Sequence, residues 1–280
     1  MKEPVKEKVC VVTGASSGIG RRVAVDLAHA GARVVAVARR AERLVALVTE
    51  LGGARAGHSH VVADVSRRSD VKGVARHVLE EYGRCDVLIN NAGFSNRSRF
   101  GGPESVADLQ AVMATNFFGT VYCTAELLPL LEASAPSTVV NVASIAGRLA
   151  ATSSSYCASK FAVVGWSESV RVELASRGIH VGLVLPGPIP TEGFPQTALT
   201  RHPLLKYATG TDADVSAAIR DVIEHGKMER TVPRWYYLLR LPPIVLPPIY
   251  RLAQRRVTRR FTATGQRPTQ PPDDAGAGQS

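Results

Sequence analysis

Residues 8–20 read Lys8-Val-Cys-Val-Val-Thr13-Gly14-Ala15-Ser16-Ser17-Gly18-Ile19-Gly20. A β-branched run ends in a glycine-rich stretch. Beyond it Val23, Leu27 and Ala30 fall on one face of a helix. Gly14 permits a sharp turn, Gly18 lets backbone approach a pyrophosphate, and Gly20 lets a helix pack closely on a strand. The unpaired N–H groups and dipole at the start of that helix attract phosphate charge. Glycines alone would fit any turn, so the weight of the reading lies in their place between a strand and a helix.

Outward from this stretch the rhythm repeats. Lys8–Val12, Arg33–Val37, His60–Ala63, Asp86–Asn90, Thr138–Val142 and His180–Leu185 are short apolar runs, with helical patterns between them. Continuous rather than alternating apolar character suits strands covered on both faces. The expected fold is therefore α/β: one doubly wound parallel sheet of six to seven strands with helices on both sides. Residues 1–233 form this domain, Asp212–His225 adds a late helix, and Arg230–Pro233 supplies a last edge strand. Residues 186–211 carry five prolines and little periodicity, as expected of a long loop over a site. An apolar and basic extension follows over 234–262, then a disordered Gly/Pro/Gln-rich tail over 263–280.

Composition narrows the function. The net charge is +10, but residues 226–262 hold nine basic side chains against one acid, Glu229. The excess is local, which argues against a nucleic-acid-binding fold. The four cysteines are scattered without a CxxC pair, so neither a zinc site nor a disulfide framework is expected. With no signal-peptide pattern at the start and no apolar stretch of about 18 residues, a cytoplasmic protein is expected.

The second strand ends in Ala38, followed by Arg39 and Arg40. An NAD site usually places a carboxylate there to hold the ribose hydroxyls. An arginine suits a 2′-phosphate instead, through its charge and planar fork of donors. NADP(H) is accordingly expected over NAD(H), with Arg39 as the reader.

Further along stand Asp64-Val65, Asn90-Asn91-Ala92-Gly93, Asn116, Ser144, Tyr156-x-x-x-Lys160 and Pro186-Gly187-Pro188-Ile189-Pro190-Thr191. In this order, after residues 13–20, they resemble the successive signatures of the short-chain dehydrogenase/reductase family over about residues 7–230. Tyr156 and Lys160, at i and i+4, project from one helical face. A phenol of ordinary pKa about 10 is a poor base at neutral pH, and a neighbouring ammonium favours its ionised form.

The resemblance implies that Tyr156 is the general acid of carbonyl reduction and the base of alcohol oxidation. Lys160 would hold the nicotinamide ribose, Ser144 would donate to the substrate oxygen, and Asn116 would hold a proton-relaying water. Gly14, Ser16, Ser17, Gly18, Ile19 and Gly20 would cradle the phosphates. Asp64 would receive the adenine amine with Val65 beside it, and Asn91, Ala92 and Gly93 would line the adenosine side. Pro186, Gly187, Ile189 and Thr191 would border the nicotinamide. A small carbonyl or alcohol substrate is implied, with a homodimer or homotetramer as the assembly.

Rivals of another class stay open. One is a silent cofactor-binding regulatory protein, against which stand all four of Asn116, Ser144, Tyr156 and Lys160. Another is a membrane-surface protein. Residues 235–260 fit either a monotopic element on an anionic membrane or packing on the site loop or a partner subunit, and their Pro-Pro pairs forbid one long amphipathic helix.

Overall fold

In the computed structural model of the chain, the described residues are 5–95, 100–102, 105–150, 153–190, 192 and 209–241, with 245, 247, 248, 250 and 252. The chain divides into two compact units, Met1–Leu238 and Leu239–Ser280. In the first, seven strands form one sheet: β1 Val9–Thr13, β2 Arg33–Ala38, β3 Ser59–Val62, β4 Val87–Asn90, β5 Ser137–Val142, β6 Ile179–Pro186 and β7 Glu229–Val232. Their order is β3-β2-β1-β4-β5-β6-β7, and every neighbouring pair is parallel. Glu229–Val232 supplies the edge strand expected near the end of the domain.

The helices are α1 Gly18–His29, α2 Ala41–Glu50, α3 Arg68–Tyr82, α4 Ser105–Met113, α5 Gly119–Ala133, α6 Ser154–Ala175 and α7 Asp212–His225. Alternate residues of the central strands enter opposite cores. Cys10 and Val12 of β1 pack with Leu27 of α1, Leu44 of α2 and Ile219 of α7. Val9 and Val11 pack with Val74 of α3 and Leu127 of α5. Both faces are therefore covered, which is why the strands read as unbroken apolar runs. α7 opens on a capping box, with Thr211 Oγ1 accepting from Asp214 N at 3.1 Å and Asp214 Oδ2 accepting from Thr211 N at 2.9 Å.

Chain order reverses between β1 and β4, so the loops leaving their carboxyl ends diverge and open a crevice. In the second unit, Pro247 and Pro248 take helical backbone, which proline's fixed φ of about −65° permits. Among the described residues no helix is long and apolar enough to cross a membrane.

Candidate active site

The crevice begins at Thr13. Its Oγ1 donates to Ile89 O at 3.2 Å and accepts from Asn91 N and Ala92 N at 2.9 and 3.0 Å. Asn91 Nδ2 returns a bond to Thr13 O at 3.0 Å. One hydroxyl thus stitches the ends of β1 and β4 together, bringing residues 13–20 beside 91–93. Gly14 has a left-handed φ of +69°, and a Cβ on Gly20 would lie 2.3 Å from Gly14 O. The loop closes on itself only because both are glycine. Ser17 is extended at the N-cap of α1 and its side chain does not cap the helix, so the first N–H groups of that helix, at Gly18 and Ile19, have no intrahelical partner, as at any helix start.

The two arginines behind β2 do different things. Arg39 is 72 % exposed, and its Nη1 lies 3.9 Å from Asp64 Oδ2. Arg40 reaches back over the glycine loop, where Nε and Nη2 donate to Ser16 Oγ at 3.2 and 3.0 Å and Nη2 also donates to Ser17 Oγ. Its Nη1 meets Glu192 at 3.3 Å, and Arg43 binds the other oxygen of that carboxylate. The arginine beside the serines is therefore Arg40, one residue past the one singled out from sequence. Burial pushes the Asp64 carboxyl up, but bonds from Ser66 and the charges of Arg39 and Arg67 outweigh it and hold it below its ordinary value. Val65 is buried against Gly119.

Ser144 follows β5, with its Oγ accepting from Ala146 N at 3.1 Å and donating to Pro186 O at 3.2 Å. It is hydrogen-bonded to the Tyr156 side chain. Lys160 Nζ donates to Val142 O at 2.9 Å and lies 5.8 Å from the centroid of the Tyr156 ring. Burial pushes the Tyr156 phenol up to about 12, against the lowering effect of the Ser144 bond. Burial also pushes Lys160 down to about 8. In the ligand-free protein it is desolvation of the phenolate that sets the direction, raising the phenol rather than lowering it.

Asn116 sits in a five-residue π-helical turn, Ala114–Phe118, between α4 and α5. Widened turns of this kind are common at functional sites. Its amide is fully engaged: Nδ2 donates to Phe94 O at 2.9 Å and to Ser159 Oγ at 3.0 Å, and Oδ1 accepts from Phe94 N at 2.9 Å. A Cβ on Gly93 would lie 3.1 Å from Asn116 Oδ1 and 3.6 Å from Lys160 Nζ. The expected quartet of Asn116, Ser144, Tyr156 and Lys160 is brought into one neighbourhood.

Pro186 ends β6, and Gly187 N donates to Val232 O at 2.7 Å. A Cβ on Gly187 would lie 2.3 Å from the ring of Tyr236, a packing partner with no motif to announce it. Ile189 is buried. Thr191 lies outside the described residues, as do 96–99, 151–152 and 193–208, the last covering most of the expected site loop.

The family model described as short chain dehydrogenase matches residues 8–201. Farnesol dehydrogenase of Aedes aegypti is 36% identical over 224 residues, 77% of this chain and 89% of that protein. 11-beta-hydroxysteroid dehydrogenase 1A of Arabidopsis thaliana is 38% identical over 66% of this chain, and the match spans only 53% of the plant protein. Among solved structures, the Pseudomonas aeruginosa RhlG/NADP active-site complex superposes with a TM-score of 0.71 at 29% identity, covering 80% of this chain and 92% of that one. The chain belongs to the short-chain dehydrogenase family of oxidoreductases.

Proposed function

We propose that this protein is an NADP(H)-dependent oxidoreductase that interconverts a carbonyl and a secondary alcohol. The observation that carries the reading is the Ser144–Tyr156 hydrogen bond with Lys160 beneath the phenol, at the carboxyl edge of the sheet. The crevice fits a dinucleotide: its glycine loop has no room for side chains at Gly14 or Gly20, and a guanidinium lies on two serine hydroxyls. Gly18, Ile19 and Gly20 would meet the pyrophosphate. Ser16, Ser17, Arg39 and Arg40 would hold a 2′-phosphate. Asp64, Val65, Asn91, Ala92 and Gly93 would flank the adenosine, and Pro186, Gly187, Ile189 and Thr191 the nicotinamide. Bound there, the cofactor supplies or accepts a hydride.

The protein's own residues manage the proton. In reduction Tyr156 Oη–H donates to the carbonyl oxygen as negative charge develops on it, while Ser144 Oγ–H donates to the same oxygen. In oxidation the phenolate takes the alcohol proton. The Lys160 ammonium, together with the positive nicotinamide of bound oxidised cofactor, would favour the phenolate against the cost that burial imposes. Asn116 holds the chain at Phe94 beside this group. The Pseudomonas aeruginosa RhlG structure in complex with NADP supports the phosphate-bearing cofactor, and the similarity to a farnesol dehydrogenase and an 11-beta-hydroxysteroid dehydrogenase supports a lipophilic substrate.

Purified protein is tested for NADPH and NADH oxidation against a panel of ketones, aldehydes, quinones, steroids and prenyl aldehydes. Turnover faster with NADPH supports the reading. No turnover with any carbonyl in either direction sinks it and favours a silent cofactor-binding protein.

A second reading concerns the surface around residue 235. Trp235, Tyr237 and Leu238 are 47 %, 48 % and 60 % exposed beside Arg234. Aromatic and aliphatic bulk next to arginine is the chemistry of contact with an anionic membrane surface, and we assign residues 235–260 that role.

A further inference from the structure

The serine turn is tied down by an ion network that no family motif announces. After Ser144 the chain makes a short 3-10 turn, Ile145–Gly147, which ends at Arg148. A Cβ on Gly147 would lie 2.6 Å from Lys160 O and 2.9 Å from Val164 Cγ2, so the turn rests directly on the backbone of α6 at the lysine. Arg148 Nη2 then donates to Glu168 of α6 and, at 2.7 Å, to Glu229 of β7. Arg171, one turn along α6 from Glu168, donates to Val181 O at 2.6 Å and to Met228 O at 2.9 Å. Two guanidiniums and two carboxylates thus join the serine turn, the tyrosine helix and the sheet edge in one charge-balanced cluster. The side chains of Arg148 and Glu229 are only 23% and 18% exposed, a depth at which such pairs are screened less than surface pairs.

We infer that Arg148 is a positioning residue: bound to Glu168 and Glu229, it fixes the turn that carries Ser144 against the helix that carries Tyr156. The inference rests on the proposed roles of those two residues. Ser144 and Tyr156 come from separate elements, and their hydrogen bond survives only while turn and helix keep their spacing. Gly147 sets that spacing by contact, and Arg148 prevents the turn from lifting. A displacement of about 1 Å at a reacting group costs on the order of 100-fold in rate. The cofactor-facing loop at residues 13–20 makes no bond to this cluster among the described contacts, so cofactor affinity is expected to stay unchanged.

Arg148→Met, which keeps an unbranched apolar stem and removes the fork, is assayed with NADPH and the fastest carbonyl from the panel, beside Tyr156→Phe. The expected result is a kcat lowered on the order of 10- to 100-fold with NADPH Kd within about twofold of the parent. The pH midpoint of kcat should also rise, because the Ser144 bond that lowers the phenol is weakened; the other groups facing that phenol, Lys160 and Cys157, are untouched. Arg148→Lys, able to reach one carboxylate, should recover part of the rate. If Arg148→Met does not fold, Glu229→Gln, which leaves the Glu168 contact in place, should show the same changes at smaller size. An unchanged kcat and pH midpoint in a folded variant overturns the inference, as does an equal loss of cofactor binding and rate. If Tyr156→Phe keeps the parent's rate, or no carbonyl is turned over, the proposed function itself falls and takes this role with it.

Discussion

Asn116 and Phe94 form a reciprocal pair: Phe94 N donates to Asn116 Oδ1 and Asn116 Nδ2 donates to Phe94 O, both at 2.9 Å. A side-chain amide here does what a neighbouring strand would do, satisfying the backbone just beyond the end of β4. The Asn116 side chain is buried, so the bonds are poorly replaced by water. Asn116→Leu should leave both Phe94 groups and Ser159 Oγ short of a partner and cost about 2–4 kcal/mol. Urea unfolding measures it. A loss below about 0.5 kcal/mol would mean that residues 91–95 are held by other contacts.

Tyr156→Phe removes one hydroxyl and leaves the ring. Turnover should fall on the order of 100- to 10,000-fold, the usual worth of a positioned proton donor, while cofactor Kd changes little. Steady-state kinetics beside a fluorescence titration separates the two. Retention of near-parental turnover would remove Tyr156 from the proton step.

Cofactor preference is expected to divide between two arginines. Arg40→Ala should lose about 1–3 kcal/mol of NADPH binding over NADH, as for a charge-assisted bond. Arg39→Ala should act in the same direction but less, because its guanidinium is exposed and faces Asp64 rather than the serines. Isothermal titration with both cofactors decides. Equal affinity of the unsubstituted protein for NADH and NADPH contradicts the assignment.

Lys160 gives a pH signature in the ligand-free protein. Its folded pKa, about 8, lies below the unfolded value near 10.5. Between those values the unfolded chain binds the extra proton, so stability rises with pH across that window. Below about pH 8 both states hold the proton, and the cost of burying the ammonium is paid in full. Relative to Lys160→Met, the parent should therefore gain stability as pH rises from about 8 toward 10. Parallel pH profiles of Tm for the two proteins would show that Lys160 is not desolvated as described.

The surface at Trp235 makes its own demand. Co-sedimentation with phosphatidylserine-containing vesicles should be strong at low salt and weaken as ionic strength rises, since each arginine contributes about 1 kcal/mol and is screened. Failure to sediment at low salt rules out membrane contact. A change of oligomeric state on deleting residues 239–280 would point to packing against a second copy instead.

Much of the fold was legible because its signals are local. A strand covered on both faces must be apolar throughout, and a helix lying on it must be apolar on one side, so β1 through β6 and α1 could be read along the chain. The glycine loop was legible for a related reason: Gly14 needs a left-handed φ and Gly20 has no space for a Cβ, and both constraints are written as residue identity. The i, i+4 spacing likewise places Tyr156 and Lys160 on one face of a helix.

Relations between distant segments belong to the tertiary structure alone. Arg39 and Arg40 are equivalent as letters, and only the path of the chain after β2 decides that Arg40 lies on Ser16 and Ser17. Tyr236 packs on Gly187 across 49 positions of chain, and Arg148 bridges Glu168 and Glu229 across 20 and 81. The height of the Tyr156 pKa was also set there. Sequence supplies the neighbouring ammonium, but desolvation depends on how much protein surrounds the phenol, which is a property of the packed whole. The sequence by itself thus determined the sheet, the glycine loop and the placing of Tyr156 and Lys160 on one helical face. Tertiary packing decided which arginine lies on the serines of that loop, which carboxylates meet Arg148 at the serine turn, and how strongly the phenol keeps its proton.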